Sequence, residues 1–250
     1  MKEIPVTFKS HGKQIVGMLH LPSRKNAPLI IMCHGWTGNK QGVYNAFFVK
    51  AARNFSKNGF ATLRFDFRGS CDSEGRWKDQ TTTTMLEDLD NVIDQISKYP
   101  EINKEKIGLI GHSQGGRVVL LHTAKDKRIE SLVTWAARTD LSYFWSKAWL
   151  ESARRKERVI EDFEITKKWI SDDMKYNVEK TVQKIKVPIL VIHGDTDYTV
   201  PDSEAYRIYK NANKPKKLQI VKGLNHDFSG EKIQKEVIKI TLNWFKKWLK

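Results

Sequence analysis

A chain of 250 residues that is 40% hydrophobic and 29% charged has the size and composition of a globular domain, which excludes a disordered chain. A net charge of +15 can indicate binding to nucleic acid or to an anionic membrane. Here the lysines are spread along the chain, and no nucleic-acid-binding motif accompanies them. Apolar runs are too short to span a bilayer, and the N-terminus lacks a secretory signal pattern. We therefore expect a cytoplasmic protein that acts on a small molecule, without nucleic acid or a membrane span; a homodimer is compatible with the sequence.

Short β-rich segments alternate with helical ones along the chain. A hairpin comes first, with strands at residues 6–8 and 15–21 and a turn at His11-Gly12. The later strands are nearly continuous apolar runs, typical of strands buried on both faces, at residues 29–33, 61–65, 107–110, 132–135, 189–192 and 218–221. Apolar residues at helical spacing predict helices at residues 46–57, 85–98, 115–125, 203–209 and 233–249. This alternation predicts one α/β domain over residues 1–250, with a mostly parallel central sheet and helices on both faces.

The stretch 138–182 contains no convincing strand and is rich in aromatic and charged residues. A connection of this length is more typical of a small helical subdomain than of a structureless loop. We therefore predict a cap inserted after the sixth strand. Phe144, Trp145 and Trp149 are its candidate substrate-pocket residues, and packing of the cap onto the core is an equally acceptable role for them.

A G-H-S-Q-G motif at residues 111–115 directly follows one predicted strand and precedes a predicted helix. This is the context of a nucleophile elbow, in which a sharp turn lifts the serine hydroxyl clear of the sheet. The serine also begins a helix, where free backbone N–H groups favour developing negative charge. The motif therefore predicts Ser113 as a catalytic nucleophile.

A second motif, H-G-W-T-G-N at residues 34–39, follows the strand predicted at 29–33. In a hydrolase with a nucleophile elbow, the oxyanion is bound by the N–H after the nucleophile and by one from this loop. The backbone N–H groups of Gln114 and Trp36 are therefore the predicted oxyanion donors, with a glycine-rich turn of no catalytic role as the alternative. His34 is a candidate pocket residue, although a histidine beside a glycine more commonly bonds the backbone.

A hydrolytic serine needs a histidine base, which in turn needs a carboxylate to fix its tautomer. His226 follows the last predicted strand, and Asp195 and Asp197 follow the strand before it. The chain order serine, acid, histidine is that expected after a nucleophile elbow. We therefore predict Ser113, Asp197 and His226 as the catalytic residues, with Asp195 as a competing acid that also suits a turn-forming role.

These motifs together make the chain resemble the α/β-hydrolase superfamily, in particular small bacterial and archaeal carboxylesterases that include feruloyl (cinnamoyl) esterases. The similar segments are residues 34–39, 64–69, 111–116, 193–197 and 225–226. The resemblance implies the α/β-hydrolase fold, the catalytic acid on the last residue of H-G-x-x-D (Asp197), and an oxyanion donor at Trp36. One departure is that Cys71 lies in a loop where the family usually has a histidine.

The predicted function is that of a serine carboxylesterase, which hydrolyses short- to medium-chain or aromatic-acid esters through an acyl-enzyme on Ser113. No metal or organic cofactor is expected. A monoacylglycerol lipase and an acylaminoacyl-peptidase-like hydrolase would use the same three residues and remain alternatives. A non-catalytic binding protein on a hydrolase scaffold is a further alternative, disfavoured because every expected catalytic position is filled.

Overall fold

The computed structural model describes residues 1–139 and 166–249. They form eight strands: β1 (Lys2–Ser10), β2 (Lys13–Leu21), β3 (Ala27–Cys33), β4 (Ala61–Phe65), β5 (Ile102–His112), β6 (Ile129–Trp135), β7 (Ile189–Gly194) and β8 (Lys216–Val221). The α-helices of this part are α1 (Phe47–Lys57), α2 (Thr82–Ile96), α3 (Gln114–Thr123), α4 (Lys167–Asp173), α5 (Val178–Val182), α6 (Ser203–Asn211) and α7 (Glu231–Trp248). Across the described ranges, none of the helices has the length and apolarity needed to cross a membrane.

The eight strands form one sheet in the order β1-β2-β4-β3-β5-β6-β7-β8. β2 pairs antiparallel with β1 and with β4, and every other neighbouring pair is parallel. Because parallel strands need crossover connections, helices link β3 through β8 and cover the sheet. The predicted α/β-hydrolase architecture, with its mostly parallel sheet, is confirmed.

The apolar strands send alternate side chains to two separate cores, as the two-residue period of a strand requires. In β3, Leu29 and Ile31 face the core under α2, α3 and α6, whereas Ile30 and Met32 face the core under α1 and α7. All four side chains are fully buried. The near-continuous apolar runs in the sequence therefore reflect helices packed on both faces.

An aromatic stack in the second core supports the loop that follows β8. Phe228 is fully buried, and its ring lies 5.1 Å from that of Phe47 and 5.9 Å from that of Trp135. Phe47 and Trp135 are themselves stacked at 4.8 Å. The stack fixes the backbone two residues beyond His226, so the histidine is carried by a packed segment rather than a free loop.

Several elements are longer than the sequence patterns predict. β1 runs from Lys2 to Ser10 and is longer than the predicted strand at residues 6–8. Its outward face is polar, and this alternation is harder to recognise in a sequence than a continuous apolar run. α2 begins at Thr82 instead of residue 85, since the Thr81 hydroxyl accepts a hydrogen bond from Thr84 N (3.2 Å) and caps the helix.

The described end of the stretch 138–182 contains α4 and α5. Both helices agree with the absence of a predicted strand there. Phe144, Trp145 and Trp149 lie outside the described residues, so their pocket role stays a prediction.

Candidate active site

Ser113 lies in the turn between β5 and α3, and its backbone conformation is strained. Its φ of 52° and ψ of −116° fall in a region that residues with a side chain rarely adopt. Surrounding backbone bonds hold it there: Ser113 N donates to Trp135 O (3.0 Å), and Ser113 O accepts from Arg117 N (3.2 Å). Strain of this kind persists only where the structure around it enforces it, and it is concentrated at functional sites.

The start of α3 packs unusually closely on the end of β3, and this contact places the loop 34–39 beside Ser113. A Cβ added to Gly115 would lie 2.2 Å from Cys33 O and 2.4 Å from His34 O, so only glycine fits. In the loop itself, a Cβ on Gly35 would lie 3.0 Å from Ser113 Cβ. The glycines of both motifs therefore allow the loop 34–39 and the Ser113 turn to pack closely against each other.

Ser113, His226 and Asp197 form a continuous hydrogen-bonded line across three loops. His226 Nε2 lies 3.1 Å from Ser113 Oγ, and His226 Nδ1 lies 2.8 Å from Asp197 Oδ2. A carboxylate at Nδ1 fixes the tautomer with the proton on that nitrogen, which leaves Nε2 free to accept from the serine hydroxyl. The structure thus brings together the three residues that the sequence predicts as catalytic.

Asp197 is buried and fully engaged by hydrogen bonds. Its Oδ1 accepts from Thr199 N (3.0 Å) and Val200 N (2.8 Å), and its Oδ2 lies 3.4 Å from His193 Nε2. Burial alone would raise the pKa of Asp197, but hydrogen bonds from His193, His226 and the backbone outweigh it and hold the pKa well below its usual range. The carboxylate therefore stays ionised opposite His226. This contact between His193 and Asp197 is not among the sequence predictions.

The loops that carry the acid and the base are packed against each other. A Cβ added to Gly194 would lie 1.7 Å from Leu224 O, so the two chains touch at backbone level. Asp195 is exposed, and its Oδ1 accepts from Gly223 N at 2.6 Å. The competing acid thus bonds the backbone of the histidine loop, and it is Asp197 that contacts the His226 ring.

The two predicted oxyanion donors flank Ser113. Gln114 begins α3, where the first backbone N–H groups have no partner within the helix. Trp36 lies next to Gly35 in the loop that contacts Ser113. In the turns and loops of residues 1–139 and 166–249, neither Trp36 N nor Gln114 N donates a hydrogen bond to a backbone carbonyl. Their role as oxyanion donors stays a prediction.

His34 does not take the pocket position predicted for it. The side chain is 1% exposed, Nδ1 lies 2.8 Å from Gly35 O, and Nε2 accepts from Phe67 N at 3.1 Å. Both ring nitrogens are thus committed to the backbone, and burial lowers the pKa of His34. The His34 ring thereby links the segment after β3 to the segment after β4 and stabilises the loop 34–39.

His112, which precedes the serine, is buried behind the base. Its Nε2 donates to His226 O at 3.0 Å, and the two rings lie 4.9 Å apart. Burial, and next the positive charge that His226 can carry, lower the pKa of His112 to about 3. His112 is therefore neutral at physiological pH and supports the His226 backbone as a hydrogen-bond donor.

This buried histidine leads to a pH prediction. In the unfolded chain His112 binds a proton below about pH 6.5, whereas folded His112 stays neutral down to about pH 3. The free energy of unfolding should therefore fall as the pH drops through that window, with His112 contributing up to about 1.4 kcal/mol per pH unit. We expect His112→Gln to flatten this slope, measured by urea unfolding at pH 4.5, 5.5 and 6.5. The pKa of His20 is also lowered, to about 4, but His20 is present in both proteins and cancels. An equal slope in the two proteins would contradict the prediction.

The chain is similar to a known protein family and to several known proteins. Residues 46–250 match the prolyl oligopeptidase family, Peptidase_S9. The uncharacterized peptidase YtmA of Bacillus subtilis is 23% identical over 248 residues, which are 96% of this chain and 92% of that protein. An uncharacterized 31.7 kDa protein of the traX-finO intergenic region of Escherichia coli is 36% identical over 113 residues, covering 45% of this chain and 38% of that protein. The chain thus spans well under half the length of some curated relatives that it matches.

Among solved structures, Est1E of Butyrivibrio proteoclasticus, determined with bound ferulic acid, superposes with a TM-score of 0.77. It is 24% identical, and the match covers 96% of this chain and 99% of Est1E. At that identity the likeness establishes the fold. The family match extends over more than half of the sequence and includes the turns of Ser113, Asp197 and His226. The chain is therefore an α/β hydrolase that belongs to the prolyl oligopeptidase family.

Proposed function

We propose that this protein is a serine hydrolase that cleaves carboxylic esters of short- to medium-chain or aromatic acids through an acyl-enzyme on Ser113. The observation that carries the proposal is the hydrogen-bonded line from Ser113 Oγ through the His226 ring to Asp197, with distances of 3.1 and 2.8 Å. A serine hydroxyl is a weak nucleophile, and a base within hydrogen-bond reach is what activates it.

In the first step Ser113 Oγ attacks the ester carbonyl carbon while His226 Nε2 takes the hydroxyl proton. The carbonyl oxygen becomes an oxyanion that the N–H groups of Trp36 and Gln114 bind, and ionised Asp197 stabilises the positive charge on His226. His226 then returns the proton to the departing alcohol, which leaves an acyl group on Ser113.

Hydrolysis of the acyl-enzyme repeats the route with water as the nucleophile. His226 Nε2 takes a proton from water, hydroxide attacks the acyl carbon, and a second oxyanion occupies the same two N–H groups. Ser113 leaves with the proton from His226, and the carboxylic acid is released. Every proton in both halves moves through one nitrogen, His226 Nε2.

Peptide hydrolysis is a second candidate, favoured by the family match and by the near full-length similarity to the uncharacterized peptidase YtmA. The three residues would act on an amide in the same way, but the leaving amine must be protonated before it can depart. The distinction therefore lies in the leaving group and its binding.

Matched esters and anilides test the two candidates directly. We expect Ser113-dependent hydrolysis of p-nitrophenyl acetate, butyrate and octanoate, and no cleavage of alanyl, prolyl or acetyl-alanyl p-nitroanilides. Methyl ferulate in the same series tests the aromatic-acid class. A fluorophosphonate probe, followed by peptide mass mapping, should label Ser113. Efficient anilide cleavage would favour the peptidase, and no labelling or turnover at all would reject both.

A further inference from the structure

Helix α4 contacts both segments that carry the proposed oxyanion donors. Trp169 and Asp173 are four residues apart and lie on one face of the helix. The Trp169 ring lies 6.0 Å from that of Trp36. Asp173, which is 1% exposed, accepts hydrogen bonds from Thr82 and Arg138, and both of these side chains also bond Gln114. The same helix face therefore meets both halves of the oxyanion site.

On the Gln114 side the contact is a closed ring of four buried side chains. Gln114 Oε1 accepts from Arg138 Nε at 2.6 Å, and Gln114 Nε2 donates to Thr82 Oγ1 at 3.0 Å. Asp173 Oδ1 closes the ring, since it accepts from Arg138 Nη2 at 2.7 Å and from Thr82 Oγ1 at 2.5 Å. None of these four side chains is more than 4% exposed. The amide of Gln114 is therefore held at both of its ends.

Charge makes this ring stiff. Asp173 also lies 3.1 Å from Arg117 Nε, so two buried guanidinium groups face one carboxylate. Burial alone would raise the pKa of Asp173, but the charges of Arg138 and Arg117 outweigh it and lower the pKa. The carboxylate is therefore ionised, and hydrogen bonds to an ionised group are shorter and stronger than neutral ones.

We infer that α4 is a positioning element for the oxyanion site: through Asp173, Arg138 and Thr82 it fixes Gln114, and through Trp169 it supports Trp36. The inference rests on the proposed function, because it concerns how well these two N–H groups bind the oxyanion. Arg138 and Asp173 also lie on either side of residues 140–165, so the ring links both flanks of that segment to the nucleophile turn. The two arginines and Asp173 are positioning residues and do not touch the reacting atoms.

The chain offers a matched control on the same helix. Asp172 Oδ2 accepts from Thr83 N (2.8 Å) and Asp172 Oδ1 accepts from Thr83 Oγ1 (2.6 Å), so Asp172 also ties α4 to α2. It makes no contact with Gln114. If the aspartates only attach α4 to the domain, Asp172→Asn and Asp173→Asn should have similar effects. If the ring positions the oxyanion donor, the effects on catalysis should separate.

The experiment measures kcat and KM on p-nitrophenyl butyrate, with inhibition constants for a trifluoromethyl ketone and for butyrate. The ketone adds to Ser113 and places an oxyanion in the site, whereas butyrate does not. We expect Asp173→Asn to lower kcat roughly 10- to 100-fold, somewhat less than complete loss of an oxyanion donor, with KM within about threefold. The affinity for the ketone should fall by a similar factor, and the affinity for butyrate should not change. Asp172→Asn should stay within about threefold of wild type in all four values.

Asp173→Asn leaves the buried charges of Arg117 and Arg138 without their carboxylate, and the variant could fail to fold for that reason. A second pair of variants covers this case. Thr82→Val keeps the shape of threonine but removes the hydroxyl that joins Gln114 to Asp173, and Thr82→Ser restores it. We expect the valine variant to lose kcat and ketone affinity together and the serine variant to recover both.

Unchanged ketone affinity in a folded Asp173→Asn or Thr82→Val protein would overturn the inference, as would equal kcat losses in the two aspartate variants. These outcomes leave the proposed function standing. Absence of Ser113-dependent hydrolysis in the wild type would instead reject the proposed function itself.

Discussion

Ser113→Ala is expected to lower kcat on p-nitrophenyl butyrate by roughly 10⁴- to 10⁶-fold, the range seen when nucleophiles of other catalytic triads are removed. The reason is geometric: Ser113 Oγ is the atom that His226 Nε2 faces at 3.1 Å, and an alanine leaves the base with no proton to take. The oxyanion donors would remain, so a small residual rate above that of water is expected. Initial rates with enzyme purified from a host that lacks contaminating esterases provide the measurement.

Ser229→Ala is the matched control for this variant. Ser229 lies three residues from His226, and its hydroxyl accepts from Asn225 Nδ2 at 3.1 Å. Losing that hydroxyl should change kcat only a few-fold, because the His226 loop is also fixed by buried Phe228. Ser113→Ala activity above about 1% of wild type, with the protein folded by circular dichroism, would remove Ser113 from the proposed role.

Much of the fold could be predicted because its signals are local. Strands such as β3 and β7 are buried on both faces, so their residues form short apolar runs that the flanking polar segments delimit. Strand β1 was predicted too short for the opposite reason, because only one of its faces is buried and its edge position allows polar residues. Exposure of one face is what hides a strand in the sequence.

The three candidate catalytic residues could also be predicted, since each follows the end of a strand in a motif with fixed spacing. Strand position alone does not separate Asp195 from Asp197 as the catalytic acid, because both lie on the same turn after β7. The structure separates them by contact: Asp195 bonds Gly223 N, and Asp197 bonds the His226 ring. A local pattern could not decide this, because the partner residues lie 28 and 29 residues further along the chain.

The ring around Gln114 could not be predicted, because its four members come from four distant segments. Charged residues such as Arg138 and Asp173 are mostly exposed in proteins, and a charge-rich stretch therefore indicates surface. Only the closed network makes their burial tolerable, and a network has no period in the sequence. One signal was available: four consecutive threonines precede Met85, and each hydroxyl of residues 81–84 has a specific partner.

Asp197→Asn is expected to lower kcat by roughly 10⁴-fold, as loss of the carboxylate does in another serine hydrolase with this arrangement. The asparagine amide can donate to His226 Nδ1, which would move the ring proton to Nε2, where it faces the serine hydroxyl. Nε2 could then no longer accept the proton of Ser113. The positive charge on His226 during catalysis would also lose its buried counter-charge, since Asp197 is held ionised in wild type. Steady-state rates from pH 6 to 9 measure both effects.

Asp195→Asn provides the comparison that makes this result specific. The asparagine carbonyl can still accept from Gly223 N, the bond that Asp195 Oδ1 makes at 2.6 Å, so the His226 loop should keep its place. We expect kcat within about threefold of wild type. A large loss in Asp195→Asn with a small one in Asp197→Asn would transfer the acid role to Asp195. Equal large losses would mean that the acidic turn acts by supporting the histidine loop. If Asp197 is instead the direct partner of the His226 ring, its replacement should affect catalysis while replacement of its neighbour should not.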